Sequence, residues 1–408
     1  MPVPSVRVGT YERSGRWAAF MTRRGLVFGG GCHQPVDMSP RLDDGSAGES
    51  VEVTSTWYAH TRDRTWTCAP PPSDVWTFHR SLSEYSPTPL IELPTLATEL
   101  GVGHVFAKDE SLRLGLPAFK SLGASWAVHR LVRDLHGDEP ITIVSATDGN
   151  HGRAIAHWAR RLSHRATVVI PSGVHPDAVQ AIRDEGAAVV TIEGTYDDAV
   201  AMAADLAAGS GRALVQDTAW DGYEEVPGWI VEGYSTMFTE TDEQLRASAR
   251  DRPDLVVVPV GVGSLLQAAI THYRQDSEGP TIASVEPEAA SFLGTSLAAG
   301  RPVAVATGTT IMAGLNCGTP SSLAWPFMAR GLDAAIAVGD GDVDAAVRDL
   351  SALGVPAGPC GAAGLAGLRV ALADDTAHRR HHLGLLPTSA VLLIVTEGVD
   401  ANPAVAPT

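Results

Sequence analysis

Three short segments combine residue types that can do chemistry, and each lies between an apolar run and an amphipathic one. In Pro117-Ala118-Phe119-Lys120-Ser121-Leu122-Gly123, Lys120 opens a predicted helix, where the dipole disfavours a cation. A lysine on a helix is ordinarily a solvated charge. Partly desolvated beside a phosphate, its amine would have a lowered pKa and could form a Schiff base with a carbonyl. In Ser145-Ala146-Thr147-Asp148-Gly149-Asn150-His151-Gly152, small, hydroxyl and amide residues can present backbone N–H groups to a carboxylate. Asp148 would repel such an anion, so it either caps the next helix or meets a positive group on the substrate. In Gly261-Val262-Gly263-Ser264, glycines admit close approach of N–H groups to an anion, and a helix start adds its dipole. An ordinary glycine turn is the structural alternative. No GK[ST] follows, which argues against a Walker A loop. Glu286 lies at about the distance of a dinucleotide fold's ribose-binding acid, but Leu266 takes the place of its third glycine.

The elements that must hold these segments alternate. Val- and Ile-rich runs at 105–108, 141–146, 166–171, 187–194, 254–261, 281–287, 334–338 and 390–398 read as strands, most of them followed by an amphipathic, Ala-rich stretch. Continuous apolar strands between helices predict an α/β fold of two open, twisted, mostly parallel sheets flanked by helices. Ligands in such sheets bind beyond the carboxyl ends of the strands, which is where all three segments fall. Residues 1–65 carry Gly-Gly-Gly-Cys at 29–32 and an acidic-polar stretch at 42–50 without periodicity, and read as a poorly ordered extension ahead of Pro70-Pro71-Pro72.

Composition narrows the class of function. The 408 residues contain 30 Lys+Arg against 47 Asp+Glu, a net charge of −17 that disfavours nucleic-acid backbones and anionic membranes as partners. Hydrophobic residues at 44% and charged ones at 19% predict a globular chain. Cys32, Cys68, Cys317 and Cys360 form no CxxC pair, so neither a disulfide scaffold nor a zinc framework is expected, and no metal site is predicted. With no apolar run near the roughly 20 residues of a membrane helix, a cytoplasmic protein is expected.

Taken in order, AFKSLGASWA, SATDGNHGRAIAHWA, PVGVGSLLQA and IVTEG resemble the type II fold of pyridoxal-phosphate enzymes, the tryptophan synthase β and threonine dehydratase group. Within it, ATDGNHGR, QDTAWDGYEEVPGWIVEGYSTM at 216–237, VEPEAA at 285–290 and TTIMAGLNCGTP at 309–320 are most similar to the diaminopropionate ammonia-lyases. The resemblance spans about Thr77 to Pro403. It implies pyridoxal 5′-phosphate in an interdomain cleft, covalently held by Lys120, with Asn150 at the 3′-oxygen and Gly261, Val262, Gly263 and Ser264 at the phosphate. It also implies a Thr396 hydroxyl at the pyridine nitrogen, leaving that nitrogen largely unprotonated and favouring elimination. Asp148 and Asp217 are the candidates for recognising the β-ammonium of the substrate, with a turn-capping role as the alternative for Asp217. Asp148 is also the candidate base on the face opposite Lys120, which would admit the D-isomer. His151 is expected to pack beside the cofactor.

The implied reaction is α,β-elimination of 2,3-diaminopropionate to pyruvate and ammonia. Residues 66–135 and 230–408 would form the large cofactor-binding domain and 136–229 a small domain closing over the site, in a homodimer. One departure stands out: where the family carries a glutamate before a small-residue run, this chain has Gly358-Pro359-Cys360, so an acid near the reacting centre is expected to be missing. Three other readings stay open on residues alone. They are a serine/threonine dehydratase or β-replacement enzyme of the same fold, a nicotinamide-dependent Rossmann oxidoreductase using Gly261, Gly263 and Glu286, and a non-catalytic amino-acid-binding homologue.

Overall fold

A computed structural model of the chain describes residues 56–135, 139–147, 149–373 and 376–401. The strands among them are β1 (Trp57–Ala59), β2 (Leu90–Glu92), β3 (His104–Asp109), β4 (Thr142–Ala146), β5 (Arg165–Pro171), β6 (Ala188–Ile192), β7 (Arg212–Leu214), β8 (Leu255–Pro259), β9 (Thr281–Pro287), β10 (Ala334–Val338) and β11 (Ala390–Val395). They form a seven-stranded sheet in the order β1-β10-β9-β8-β11-β3-β2 and a four-stranded sheet in the order β6-β5-β4-β7. Every pairing is parallel except those of β1 with β10 and β2 with β3 at the two edges of the larger sheet. The central strands β8 (LVVVP) and β11 (AVLLIV) are buried along their whole length. Their unbroken apolar character follows from having helices on both faces.

Two features fix the start of the helix Lys120–Arg133. Its crossing with the long helix Glu225–Ala247 is close enough that a Cβ on Gly123 would lie 2.6 Å from Tyr234, and one on Gly233 2.6 Å from the Leu122 carbonyl. Only glycine permits that approach. Ahead of the helix, the loop from Glu110 is fastened by a wholly buried ionic cluster. Arg113 bonds Glu110 at 2.6 Å and Glu240 at 2.7 Å, and Lys108 bonds Glu240 at 2.8 Å. Two positive and two negative groups satisfy one another there, which is the condition under which buried charges are tolerated.

The alternating pattern located eight strands and missed three. β1, β2 and β7 are three residues each, too short for periodicity to register. β1 lies in the segment read as an extension. Residues 1–55 of that segment are outside the described residues, whereas Trp57–Ala59 join the larger sheet, with Tyr58 opposite Ala335 and the His60 N–H donating to the Asp333 carbonyl. No helix among the described residues is long and apolar enough to cross a membrane.

Candidate active site

The three segments meet at one cavity of about 620 Å³, which is lined by Lys120, Asn150, Asp217, the Gly261–Ser264 turn, Thr396 and Glu397. The parallel topology brings them there. Lys120, Asn150 and Ser264 are each the first residue of a helix, and Thr396 directly follows β11. The larger sheet supplies the turn after β8 and Thr396, and the smaller sheet supplies Asn150 after β4 and Asp217 after β7. Asp148 lies outside the described residues; its neighbours Thr147 and Gly149 line the cavity.

Lys120 Nζ donates to Asp217 Oδ2 at 2.5 Å. Burial would depress the lysine, but the Asp217 carboxylate outweighs it and holds the ammonium above its ordinary range. A lowered lysine pKa is the expectation beside a phosphate; beside the Asp217 carboxylate the shift runs the other way. Asp217 itself, which burial would raise, is brought down to about 2 by His151 and Lys120. Its carboxylate also accepts from Tyr196 Oη at 3.4 Å and from Gln216 Nε2 at 3.5 Å, and its main-chain carbonyl accepts from the Ser264 hydroxyl. His151 is buried beside it, with Nδ1 3.9 Å from Asp217 Oδ2 and Nε2 3.3 Å from the Val215 carbonyl. Burial lowers the His151 pKa, so the ring is neutral near pH 7.

The Gly261–Ser264 turn is shaped for close approach. Gly263 has φ +105°, and a Cβ there would lie 2.9 Å from Met328 Sδ; a Cβ on Gly261 would lie 2.9 Å from the Gly314 carbonyl. Val262 is buried, and its carbonyl accepts from the Ser321 N–H. Thr396 Oγ1 is buried and makes no hydrogen bond to a described residue, although the Thr396 carbonyl is held by the Phe119 N–H at 3.1 Å. A buried hydroxyl without a partner is uncommon, and one that lines a cavity could meet a polar ligand atom.

An acid is present where one was expected to be missing. Glu397 Oε1 accepts from the Cys360 N–H at 3.1 Å and Oε2 from Asn150 Nδ2 at 2.5 Å. A Cβ on Gly358 would lie 3.2 Å from Glu397 Oε1. The carboxyl therefore reaches the start of the helix Pro359–Ala373 from the neighbouring strand end. Burial raises its pKa against the opposing hydrogen bonds from Cys360 and Asn150. Glu397 was visible in the IVTEG segment, and a charge two residues after a wholly apolar strand was the signal. Glu286, by contrast, does not face the cavity. It accepts from the Phe292 and Leu293 N–H groups at 3.1 Å each and is occupied in holding the helix Leu293–Ala299, which removes the ribose-binding role of the oxidoreductase reading.

Comparison with known proteins identifies this arrangement. A profile described as "Pyridoxal-phosphate dependent enzyme" matches residues 82–396. A diaminopropionate ammonia-lyase of Salmonella typhimurium is 36% identical over 363 residues, 81% of this chain and 89% of that relative. The chain belongs to the diaminopropionate ammonia-lyase family of pyridoxal-phosphate dependent enzymes. Crystal structures of the Escherichia coli diaminopropionate ammonia-lyase match the fold at 30% identity, covering 86% of this chain and 95% of theirs. One is a complex with an aminoacrylate-PLP azomethine reaction intermediate (TM-score 0.78) and another a complex with D-serine (TM-score 0.79). The groups around the cavity suit the family's cofactor. An aldehyde requires an amine (Lys120), a phosphate requires N–H groups at a helix start (Gly261–Ser264), and a ring nitrogen requires a polar partner (the Thr396 hydroxyl).

Proposed function

We propose that the chain converts 2,3-diaminopropionate and one water to pyruvate and two molecules of ammonia, using pyridoxal phosphate in this cavity. The observation that carries the reading is the Lys120–Asp217 pair, 2.5 Å apart inside a cavity that also holds the glycine turn and the unpartnered Thr396 hydroxyl. When bound, the cofactor supplies an aldehyde for amines and a ring that draws electron density from the substrate Cα.

The residues then divide the work. Lys120 would hold the cofactor, and its amine is the group placed to move the Cα proton. Gly261, Val262, Gly263 and Ser264 would bind its phosphate with backbone N–H groups and the Ser264 helix start. Asn150 would serve the 3′-oxygen, and Thr396 would offer the pyridine nitrogen a neutral hydroxyl. Asp217 already pairs with one primary ammonium, that of Lys120. The β-ammonium of diaminopropionate offers it the same group, whereas the hydroxyl of serine offers no charge. Asp148, whose sequence neighbours Thr147 and Gly149 line the cavity, is the second carboxylate for that ammonium and the base for the D-isomer. Segment 136–229 acts as the small domain that closes to exclude water. The reading includes a cytoplasmic homodimer.

Purified protein given the cofactor should become coloured, and borohydride should fix the label on the peptide containing Lys120. Ammonia should then be released from diaminopropionate far faster than from serine or threonine. A colourless protein, or serine as the better substrate, refutes the proposal. Asp148→Asn should harm turnover of the D-isomer more than that of the L-isomer; equal losses remove the opposite-face role.

A further inference from the structure

Asn150 is the first residue of its helix, and its side chain bridges two elements distant in sequence. Its Nδ2 donates to Glu397 Oε2 at 2.5 Å across the gap between the β4 loop and the end of β11. An asparagine amide has a broad terminal torsion and two ends of nearly equal size, so nothing intrinsic decides which end faces a ligand. An oxygen acceptor behind it decides. With one Nδ2 hydrogen committed to Glu397, the amide plane is set and the same nitrogen keeps a second N–H for the cavity that Asn150 lines. Glu397 is itself rigid. It is 4% exposed, the Cys360 N–H fixes its other oxygen, its carbonyl accepts from the Gly358 N–H, and its backbone bridges to Ala118.

We propose that Glu397 is a positioning residue that, through this hydrogen bond, orients the Asn150 amide so that its N–H is presented to the 3′-oxygen of the bound cofactor. This rests on the cofactor assignment of Asn150 proposed above. The competing role is purely architectural: the Cys360 contact makes Glu397 a cap of the helix Pro359–Ala373. The two roles differ in what Asn150 does when Glu397 is altered. A cap changes the stability of the fold, whereas a positioning residue changes the cofactor's surroundings only through Asn150.

The experiment uses full-length protein at one pH, as parent, Glu397→Gln, Glu397→Ala, Asn150→Ala and the double alanine variant. Cofactor Kd, the visible absorption maximum and the thermal midpoint are measured for each. Glu397→Ala should raise Kd about tenfold, the effect of one lost hydrogen bond to a charged or buried group, and move the visible band in the same direction as Asn150→Ala. Glu397→Gln keeps an oxygen acceptor and should stay within about twofold of the parent in Kd, with an unshifted band. In the Asn150→Ala background, Glu397→Ala should change neither quantity further. An unchanged band and Kd in Glu397→Ala, or an effect that adds in full to that of Asn150→Ala, overturns the inference. Should the alanine variant not fold, Glu397→Met fills the same volume without an acceptor, and the same readouts decide. A coloured parent with unshifted Glu397 variants overturns this inference alone; a parent that takes up no cofactor overturns the functional proposal with it.

Discussion

Asp217→Asn should have two effects of opposite sign. In the protein, burial alone would pull the Lys120 pKa below 10.5, yet the carboxylate 2.5 Å away holds it above that value. The Tyr234 phenol nearby is pushed up by burial and stays neutral, so it does not replace the lost charge. With an amide at 217, the largest influence opposing burial is gone and the lysine pKa falls. Each unit is a factor of ten in free amine at a fixed pH below both values, so the variant should carry at least about tenfold more reactive Lys120. Mixing cofactor with cofactor-free protein and following the visible band should therefore show faster covalent attachment in the variant. Turnover moves the other way. Removing one partner of a buried charge pair costs about 3–4 kcal/mol, which should lower kcat/KM for diaminopropionate by about 10²–10³-fold. The cofactor-free fold should feel the change as well. Asp217 is depressed from 3.8 to about 2, with burial opposing and His151 and Lys120 lowering it. That shift contributes about 2 kcal/mol above the ordinary aspartate value, and it is lost as pH falls through about 2. Urea midpoints of parent and variant should thus differ at neutrality and converge on acidification. Attachment at the parent's rate or slower, in a folded variant, would show that Asp217 does not govern the charge on Lys120.

Other perturbations probe the remaining walls of the cavity. Thr396→Val removes a hydroxyl with no partner among the described residues, so unfolding should be unchanged or slightly harder while cofactor Kd rises about fivefold to tenfold. Equal effects on stability and Kd would contradict this. Gly263→Ala meets a φ of +105° and a Met328 sulfur 2.9 Å from the new Cβ, and should cost about 2 kcal/mol or more in stability. A thermal midpoint equal to the parent's would show that the turn relaxes without loss.

Much of this architecture was legible because parallel sheets write themselves in unbroken apolar runs. β8 and β11 could be read from their Val, Leu and Ile content, and the chemistry followed from what stood after each run. The edge strands were not legible. Three residues such as Trp57–Ala59 carry no period, and only the β10 backbone makes them a strand. Among the site residues, Lys120 and Asp217 were both picked out by segment, but their pairing was not: ninety-seven positions separate them, and the contact exists only because the two sheets face each other. The same reason hid Glu397. Reading along the chain placed the acid at the start of the helix Pro359–Ala373 and found Gly358 and Pro359, whereas the fold delivers a carboxyl to that spot from the end of β11.

The hydroxyl of Ser264 meets the main-chain carbonyl of Asp217, and the carboxylate of Asp217 meets Lys120. The anchor for an anion and the reactive amine are thereby two contacts apart, joined by a single residue in the loop after β7. An engineer who redesigns the anion end for a different prosthetic group will also retune the amine. Altered selectivity on this scaffold should arise more readily by exchanging side chains around Asp217 than by rebuilding the turn that leans on it.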